Sequence, residues 1–296
     1  MFLEMNNKLK GYLLGIIGGA AYGTNPLFAI PLYSSGLDAS SVIFYRYLTA
    51  TVLVALVAKA KGCSLRIERK ALLVALGLGL MVVGSSLTLF HSYNYMGSGV
   101  ASTILFVYPI MVAIMLAAIF GEKVDFKTGA SIILALVGVA LLYFNGEGLQ
   151  LNTVGTVLAL LSAFTYAVYM VFLNKSRLRR IPTIVVTFYI LLCGLTIYLP
   201  MFIMGFRPVA LASGSQFALV FCSALLPTVI SFLCTASAVV KIGSTPASIL
   251  GALEPGTAVI IGVLVFDESM TVRTFVGMML ILVAVTTVVL SKNGSK

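Results

Sequence analysis

The sequence has little charge and few of the residues that build catalytic or metal centres. Charged residues make up 9% of the 296 positions, and the chain has a single histidine and no tryptophan. A soluble domain carries roughly 25% charged residues, so this composition argues against a soluble protein. The cysteines form no CxxC pair, so we predict neither a disulfide framework nor a zinc site. We expect four buried free thiols, at Cys63, Cys193, Cys222 and Cys234.

The usual enzyme motifs are also missing. The sequence contains no HExxH, GxSxG, Walker A or GxGxxG pattern. An intramembrane protease would need a Ser/His dyad, an aspartate pair or a zinc motif. The aspartates, however, fall at predicted helix ends, at Asp38, Asp125 and Asp267. We therefore do not expect an enzyme, and any transport is driven by gradients or is facilitative.

Hydrophobic sequence fills most of the chain. Hydrophobic residues make up 60% of it, and the mean hydropathy is +1.10. A bilayer-spanning helix needs about 20 apolar residues. Ten apolar segments near this length are bounded by charged or turn residues: 11–33, 39–59, 71–95, 98–120, 127–145, 153–174, 183–206, 214–239, 244–266 and 273–291. The prediction is an all-α polytopic membrane protein with ten transmembrane helices.

The basic residues are distributed asymmetrically along this pattern. If the N-terminus is cytoplasmic and ten helices alternate, 16 of the 19 Lys and Arg residues fall on the cytoplasmic side. Only Arg207 and Arg273 fall outside, while Arg46 lies within a helix. Cytoplasmic loops carry such an excess, so both termini are predicted to be cytoplasmic. Topology also explains the net charge of +10, so we expect no nucleic acid as a partner.

The second half of the chain repeats the first. An offset of 146 aligns 97–122 with 243–268 without a gap, and an offset of 144 aligns the first segment with the sixth. The paired residues include Gly97/Gly243, Ser98/Ser244, Pro109/Pro255, Phe120/Phe266, Glu122/Glu268 and Tyr22/Tyr166. We predict two five-helix repeats, 1–145 and 146–296. Because five is odd, the second repeat is inverted, an arrangement that places a transport site at the repeat interface near the midplane.

A carboxylate followed by a proline interrupts the ninth segment. Glu254 would cost several kcal/mol in hydrocarbon unless it is paired, protonated or facing water, and Pro255 is predicted to kink the helix. Glu254 is the repeat equivalent of Tyr108, and Tyr22 that of Tyr166, all near the midplane. We predict that these four side chains form the centre of a substrate cavity. In the alternative, the tyrosines only pack and a neutral carboxyl bonds to a backbone carbonyl that the proline frees.

Three other polar residues are candidates for the site. Asn25 precedes Pro26 and is a cavity candidate. Arg46 binds an anionic substrate group or a partner carboxylate, or it snorkels to the outer interface. His91, near the outer end of the third segment, either takes part in proton coupling or is an ordinary interfacial histidine.

Two further patterns concern packing and helix ends. The first segment has glycines at every fourth position, Gly11, Gly15, Gly19 and Gly23, which predicts close helix contact. The alternative is a helix that rocks between two arrangements. Glu122 and Glu268 end the fourth and ninth segments. We expect these two to pair with neighbouring basic groups at the interface.

In combination these features resemble the EamA-type transporters of the drug/metabolite transporter superfamily. The resemblance rests on LEP at Leu253–Pro255, FGE at Phe120–Glu122, FDE at Phe266–Glu268 and the arginine in FYRYLTA at Phe44–Ala50. It covers nearly the whole chain. It implies a bacterial cytoplasmic-membrane carrier, often an exporter of amino acids or other small metabolites. It also implies a central cavity between the halves and no organic cofactor.

We therefore expect a secondary transporter that exports a small metabolite, such as an amino acid, by alternating access. Coupling of this transport to protons is left open. The expected partners are the substrate and the lipid bilayer, and a homodimer is left open. Two alternatives stand beside this reading. One is a flippase for a lipid or lipid precursor with the same fold. The other is a structural or regulatory membrane protein in which Glu254 only bonds between helices.

Overall fold

The structure, a computed structural model, is helical and contains no strand in the part of the chain that it describes. That part comprises residues 2–121, 152–242, 250–251, 253–268 and 270–291, together with positions 126, 129, 130, 133, 134, 137, 138 and 141. The α-helices are α1 (Phe2–Gly23), α2 (Asn25–Ser34), α3 (Ala39–Ala60), α4 (Arg69–Ser92), α5 (Ser98–Leu105), α6 (Tyr108–Phe120), α7 (Thr153–Lys175), α8 (Thr183–Gly194), α9 (Tyr198–Ile203), α10 (Gly214–Ala224), α11 (Ser231–Ile242), α12 (Leu253–Phe266) and α13 (Val272–Ser291).

Seven stretches of the described chain are long and apolar enough to cross a membrane. They are Asn7–Ser34, Ala39–Ala60, Arg69–Ser92, Ser98–Phe120, Thr153–Leu173, Thr183–Ile203 and Gly214–Ala238. Two shorter apolar helices, Leu253–Phe266 and Phe275–Ala284, fall in the ninth and tenth predicted segments. Most of the fifth segment, 127–145, lies outside the described residues. The chain is a multi-pass helical membrane protein.

Prolines divide several of these stretches near their middles. α1 and α2 meet at Thr24, and Pro26 lies in the first turn of α2. Residues 106 and 107 separate α5 from α6, which carries Pro109 in its first turn. Proline suits the start of a helix because its missing N–H would have no intrahelical acceptor there. A π-helix with Pro227, Leu225–Ile230, joins α10 to α11.

The kink predicted at Pro255 is instead the start of a helix. α12 begins at Leu253, so Glu254 and Pro255 lie in its first turn. Gly251 forms a turn whose carbonyl accepts from the Glu254 backbone N–H at 2.9 Å. Both residues suit this position better than a helix interior. The proline removes no intrahelical bond there, and the carboxylate lies at the positive end of the helix dipole.

The glycines of α1 pack closely against the chain that leads into α12. A Cβ added at Gly19 would lie 2.7 Å from the Leu250 carbonyl oxygen, and one at Gly15 would overlap the Leu250 side chain. Gly18 faces α11 instead, where Ser231 Oγ donates to the Gly18 carbonyl at 2.8 Å. The predicted close contact of α1 is confirmed. It brings α1 alongside both α11 and α12.

Glu268 connects the end of α12 to the start of α5. Its Oε1 accepts from the Ser98 backbone N–H at 2.7 Å and from Ser98 Oγ at 2.6 Å, and its Oε2 accepts from the Gly99 N–H at 3.2 Å. The prediction of a basic partner is therefore wrong for Glu268. Its carboxylate instead accepts from backbone N–H groups at the start of a helix, which have no intrahelical acceptor. Glu122 lies outside the described residues.

All four cysteines are free, but only Cys193 is buried. Cys63, Cys222 and Cys234 are partly exposed, so the prediction of buried thiols was wrong for these three. Cys222 and Cys234 lie on membrane helices, where an apolar run includes the face turned towards lipid, and Cys63 lies in the loop before α4.

Candidate functional site

Glu254 lies in the wall of a small cavity between α1, α6, α7, α11 and α12. The cavity is lined by Gly15, Gly18, Gly19, Tyr22, Tyr108, Tyr166, Met170, Ser231, Thr235, Gly251 and Glu254. Its volume is about 30 Å³, measured as the space open to the centres of water molecules. This is room for roughly two or three waters. The structure thus brings together the four side chains that were predicted to form the cavity centre.

The Glu254 carboxyl is buried and incompletely bonded. Glu254 is 6% exposed. Among the described residues, its Oε1 is the one buried side-chain oxygen or nitrogen without a hydrogen-bond partner. An ionised carboxylate only accepts hydrogen bonds, so the missing partner is a donor. A buried polar atom without its bond costs free energy. A water or a ligand that donates a hydrogen bond to this oxygen would remove that cost.

Three tyrosine rings from three helices surround the cavity. Tyr108 meets Tyr166 edge to face, with ring centroids 4.8 Å apart. Tyr22 lies 6.4 Å from Tyr166, and its other neighbour is Phe232 at 6.3 Å. These separations are those of interacting aromatic pairs, which hold one another in place. The hydroxyls of all three tyrosines are within electrostatic range of Glu254.

Arg46 forms a second buried polar centre, which does not line the cavity. Its side chain is 0% exposed. Its Nη1 donates to Asn25 Oδ1 at 2.6 Å, its Nε to Thr228 Oγ1 at 2.6 Å, and its Nη2 to the Pro227 carbonyl at 3.3 Å. The guanidinium also lies over the Phe90 ring, 5.3 Å from its centroid. Such burial rules out snorkelling to the interface, and no acidic residue among the described positions pairs with Arg46.

Arg46 holds together the broken middles of two spanning stretches. Asn25 begins α2, directly after the break that ends α1. Pro227 and Thr228 belong to the π-helix between α10 and α11. Tyr22, on the last turn of α1, is within electrostatic range of both Arg46 and Glu254. Tyr22 is therefore near both polar centres.

His91 lies away from both centres. Its Nε2 is 3.1 Å from Ser40 Oγ, near the end of α4. Asp38 caps α3 beside it by accepting from the Ser40 and Ser41 backbone N–H groups. The structure therefore does not bring His91 together with Glu254, Arg46 or the tyrosines.

Sequence reasoning missed part of the cavity wall. Ser231 and Thr235 on α11 and Met170 on α7 line it. The four-residue spacing of Ser231 and Thr235 places both on one face of a helix, which was an available signal. Many serines and threonines in this chain share such spacings, so the pattern alone does not select these two.

A wider, basic cleft lies at one end of the helices, away from Glu254. It joins the loop before α4 to the 3-10 turn Arg177–Arg180 and is lined by Arg66, Ile67, Glu68, Ala71, Arg177, Arg180, Ile181 and Pro182. The Tyr189 hydroxyl donates to the Leu65 carbonyl at 2.6 Å and fixes the loop before α4. Across the described positions, no group of three His, Cys, Asp or Glu residues could hold a metal ion.

The sequence profile of the EamA-like transporter family matches this chain twice, at residues 9–144 and 153–290. Together these matches take in most of the chain.

Individual relatives agree with that match. An uncharacterized transporter of Synechocystis sp. is 27% identical over 69% of this chain and 63% of its own length. An uncharacterized transporter of Archaeoglobus fulgidus is 29% identical over 62% of this chain and 64% of its own length. The chain thus spans a little under two thirds of each of these relatives. A crystal structure of a protein with 19% sequence identity superposes with a TM-score of 0.71 and covers 97% of this chain and 99% of its own. That similarity shows the fold.

Proposed function

Because the chain belongs to the EamA-like transporter family, we propose that it is a secondary transporter that exports a small metabolite, such as an amino acid, across the cytoplasmic membrane. In this proposal the protein works by alternating access, and proton binding at Glu254 is coupled to transport. Both termini lie in the cytoplasm.

One observation carries this proposal: a buried carboxyl with an unsatisfied oxygen lies in a cavity between helices from both halves of the chain. Ionisable residues at membrane depth are costly and face cavities or ion paths when they are retained. Tyr22 and Tyr108 come from the first half, and Tyr166 and Glu254 from the second. A site shared between repeats is the arrangement that lets one half move against the other.

The Glu268 contact supports an inverted relation between the halves. Ser98 starts the fourth predicted segment and Glu268 ends the ninth, its repeat equivalent. Their hydrogen bonds bring the start of one segment to the end of the other. Equivalent segments that meet start to end run in opposite directions across the membrane, as an inverted repeat requires.

The size of the cavity supports alternating access. Space for two or three waters is too small for a metabolite, whose pockets usually measure roughly 300–1,000 Å³. Substrate entry therefore needs helices to separate. The breaks beside Thr24, at residues 106–107 and at the π-helix Leu225–Ile230 supply places where halves of helices can move.

Exposed apolar side chains support a bilayer around the helices. Leu73 is 68% exposed, Ile203 87% and Leu264 76%, each on an apolar helix. A soluble protein would bury such residues, whereas lipid tails accommodate them.

Transport by a Glu254→Gln variant in proteoliposomes tests the coupling role of Glu254. The amide cannot exchange a proton but has nearly the same shape, so we expect loss of proton-driven transport and of its pH dependence. Glu68→Gln makes the same change at an exposed position before α4, outside the cavity, and serves as the matched control, for which coupling is retained. An unchanged rate and pH profile in Glu254→Gln would remove Glu254 from the coupling mechanism.

Water access tests the cavity itself and separates transport from a purely structural role. A cysteine at Tyr108, in a background without native cysteines, is expected to react with small aqueous thiol reagents. A structural protein without a cavity would leave this cysteine unreactive.

A further inference from the structure

We propose that the substrate enters the cavity with a cationic ammonium group, which pairs with the Glu254 carboxylate and lies against the rings of Tyr22, Tyr108 and Tyr166. The inference rests on the proposed transport function and narrows its substrate class. Organic ammonium compounds are preferred, and molecules whose only charge is a carboxylate are rejected.

The charge of the cavity is the first argument. Glu254 is the one formally charged side chain among the residues that line it. Its Oε1 lacks a donor, and an ammonium group supplies up to three. A buried carboxylate is unfavourable unless it is protonated or paired with a cation. The same oxygen therefore takes a proton in one state and an ammonium group in another.

The aromatic wall is the second argument. The cavity exposes three tyrosine rings from three helices, packed against one another at 4.8 Å and 6.4 Å between centroids. Ring faces are electron-rich and attract cations, most strongly where water is excluded. Aromatic cages around a quaternary or protonated amine use this attraction. A carboxylate in a cavity lined by three aromatic rings suits a cation and repels an anion.

The nearby positive groups do not reverse this preference. Arg46 does not line the cavity, and its hydrogen bonds go to Asn25, Thr228 and the Pro227 carbonyl. The start of α12 carries a partial positive charge of about half a unit, which is less than the full charge of Glu254. At the other break, the end of α5 and the start of α6 are separated by two residues, so their opposite partial charges largely cancel.

Charge balance makes the transporter an exchanger. When a monovalent ammonium ion displaces the proton on Glu254, one proton leaves and the net charge of the cavity stays the same. Among the described residues, the other titratable groups that interact electrostatically with Glu254 are the hydroxyls of Tyr22, Tyr93, Tyr108 and Tyr166. The proposal assigns the exchanged proton to the carboxyl and none to these hydroxyls.

The absence of tryptophan from the chain provides a clean fluorescent reporter. Phe232 on α11 stacks on Tyr22, so a Phe232→Trp variant places a single indole beside the cavity. The purified variant is titrated with benzylamine, benzyl alcohol and benzoate, which share one skeleton and differ in charge. The butyl series of amine, alcohol and carboxylate repeats the comparison with a slimmer chain. Calorimetric titration of the unmodified chain checks that the indole leaves binding unchanged.

We expect at least one amine to bind at least tenfold more tightly than its matched alcohol and carboxylate, with release of a proton into weakly buffered solution. Glu254→Gln in the same background is expected to lose this preference. Tyr108→Phe keeps the ring and is expected to retain it. Tyr108→Leu removes the ring and is expected to weaken amine binding by about threefold to thirtyfold.

The proposal is overturned if the alcohol or carboxylate binds as tightly as its amine, or if neither amine binds. It is also overturned if Glu254→Gln keeps the full preference while remaining folded, as judged by thermal unfolding. The accessibility of a cysteine at Tyr108 separates this failure from failure of the transport proposal. If the cysteine reacts but amines are not preferred, the transport proposal stands and only the substrate class is wrong. If the cysteine does not react, the cavity itself is contradicted, and with it the transport proposal.

Discussion

At the scale of single residues, the buried charged groups Glu254 and Arg46 form two centres with different roles. Glu254 has an unsatisfied oxygen, whereas the guanidinium of Arg46 bonds to two side chains and one carbonyl. A group with a missing partner is available to a ligand. A group whose neighbours fill its bonds instead ties helices together.

Thr228→Val tests the structural role of Arg46 without removing its charge. The substitution keeps the shape of the side chain but leaves the Arg46 Nε–H without its acceptor at 2.6 Å. Losing a buried bond to a charged group lowers the free energy of unfolding by about 1.5–3 kcal/mol. Unfolding in mixed detergent micelles measures this. Thr287→Val is the control, because Thr287 is partly exposed and bonds to a carbonyl of its own helix. Equal effects of the two variants would contradict a structural role for Arg46.

The sequence predicted the cavity residues better than it predicted Arg46 or His91. Glu254 and the three tyrosines were identified because repeat symmetry makes equivalent residues meet only near the midplane. No such rule applies to Arg46, whose partners lie 21, 181 and 182 positions away along the chain. His91 was a candidate because histidine titrates near neutral pH, and that property of the residue type does not indicate which neighbours the side chain meets.

At the scale of elements, the helix starts rather than the helix middles define the architecture. Pro109 and Pro255 both lie in the first turn of a helix, at repeat-equivalent positions. The sequence predicted an interruption at Pro255, and it identified Pro109 only as the repeat equivalent of that proline. It did not distinguish a kink from a new helix start, because proline is compatible with either and the difference depends on tertiary contacts.

Glu268→Gln tests the cap that joins α12 to α5. The amide keeps one acceptor oxygen, but its NH2 group then faces a backbone N–H, and the favourable charge at the start of α5 is lost. We expect the free energy of unfolding to fall by about 1–2 kcal/mol. Glu68→Gln is the control: Glu68 precedes α4, is exposed and makes no side-chain cap bond. A change below about 0.5 kcal/mol for both variants would show that the cap is not stabilising.

Gly19→Ala tests the close contact between α1 and the chain before α12. A methyl group at Gly19 would lie 2.7 Å from a backbone oxygen, so the two elements must separate. We expect a loss of about 1–3 kcal/mol, the usual cost of overpacking. A methyl group at Gly77 on α4 meets nothing within 4 Å. Gly77→Ala should therefore be neutral or stabilising by up to about 1 kcal/mol, since alanine favours helix. Thermal unfolding of the two variants measures this difference. Equal changes in the free energy of unfolding for both variants would contradict the close contact.

At the scale of the whole molecule, hydrogen bonds sort the connections onto two faces. On one face, Gln216 Nε2 donates to the Ser35 carbonyl at 3.1 Å, and the Val209 N–H donates to Ser41 Oγ at 2.9 Å. On the other, the loop before α4 and the 3-10 turn Arg177–Arg180 share the basic cleft. Which of the two faces is cytoplasmic stays a prediction from the distribution of Lys and Arg. The number of helices was harder to predict from the sequence, because breaks near prolines divide single spans into pairs of helices.

Cysteine labelling in intact cells tests which face is outside. In a background without native cysteines, Ser213→Cys places an exposed thiol in the loop before α10, and Ser64→Cys places one in the loop before α4. Lys and Arg are retained on the cytoplasmic side, and the loop before α4 carries Lys61 and Arg66. A membrane-impermeant maleimide should therefore label Ser213→Cys in intact cells, and Ser64→Cys only after permeabilisation. Labelling of Ser64→Cys alone would show that the orientation is opposite to the predicted one. The direction assigned to export would then be wrong as well. Labelling of both in intact cells would contradict the two-face arrangement itself, because the two loops would then share one side of the membrane.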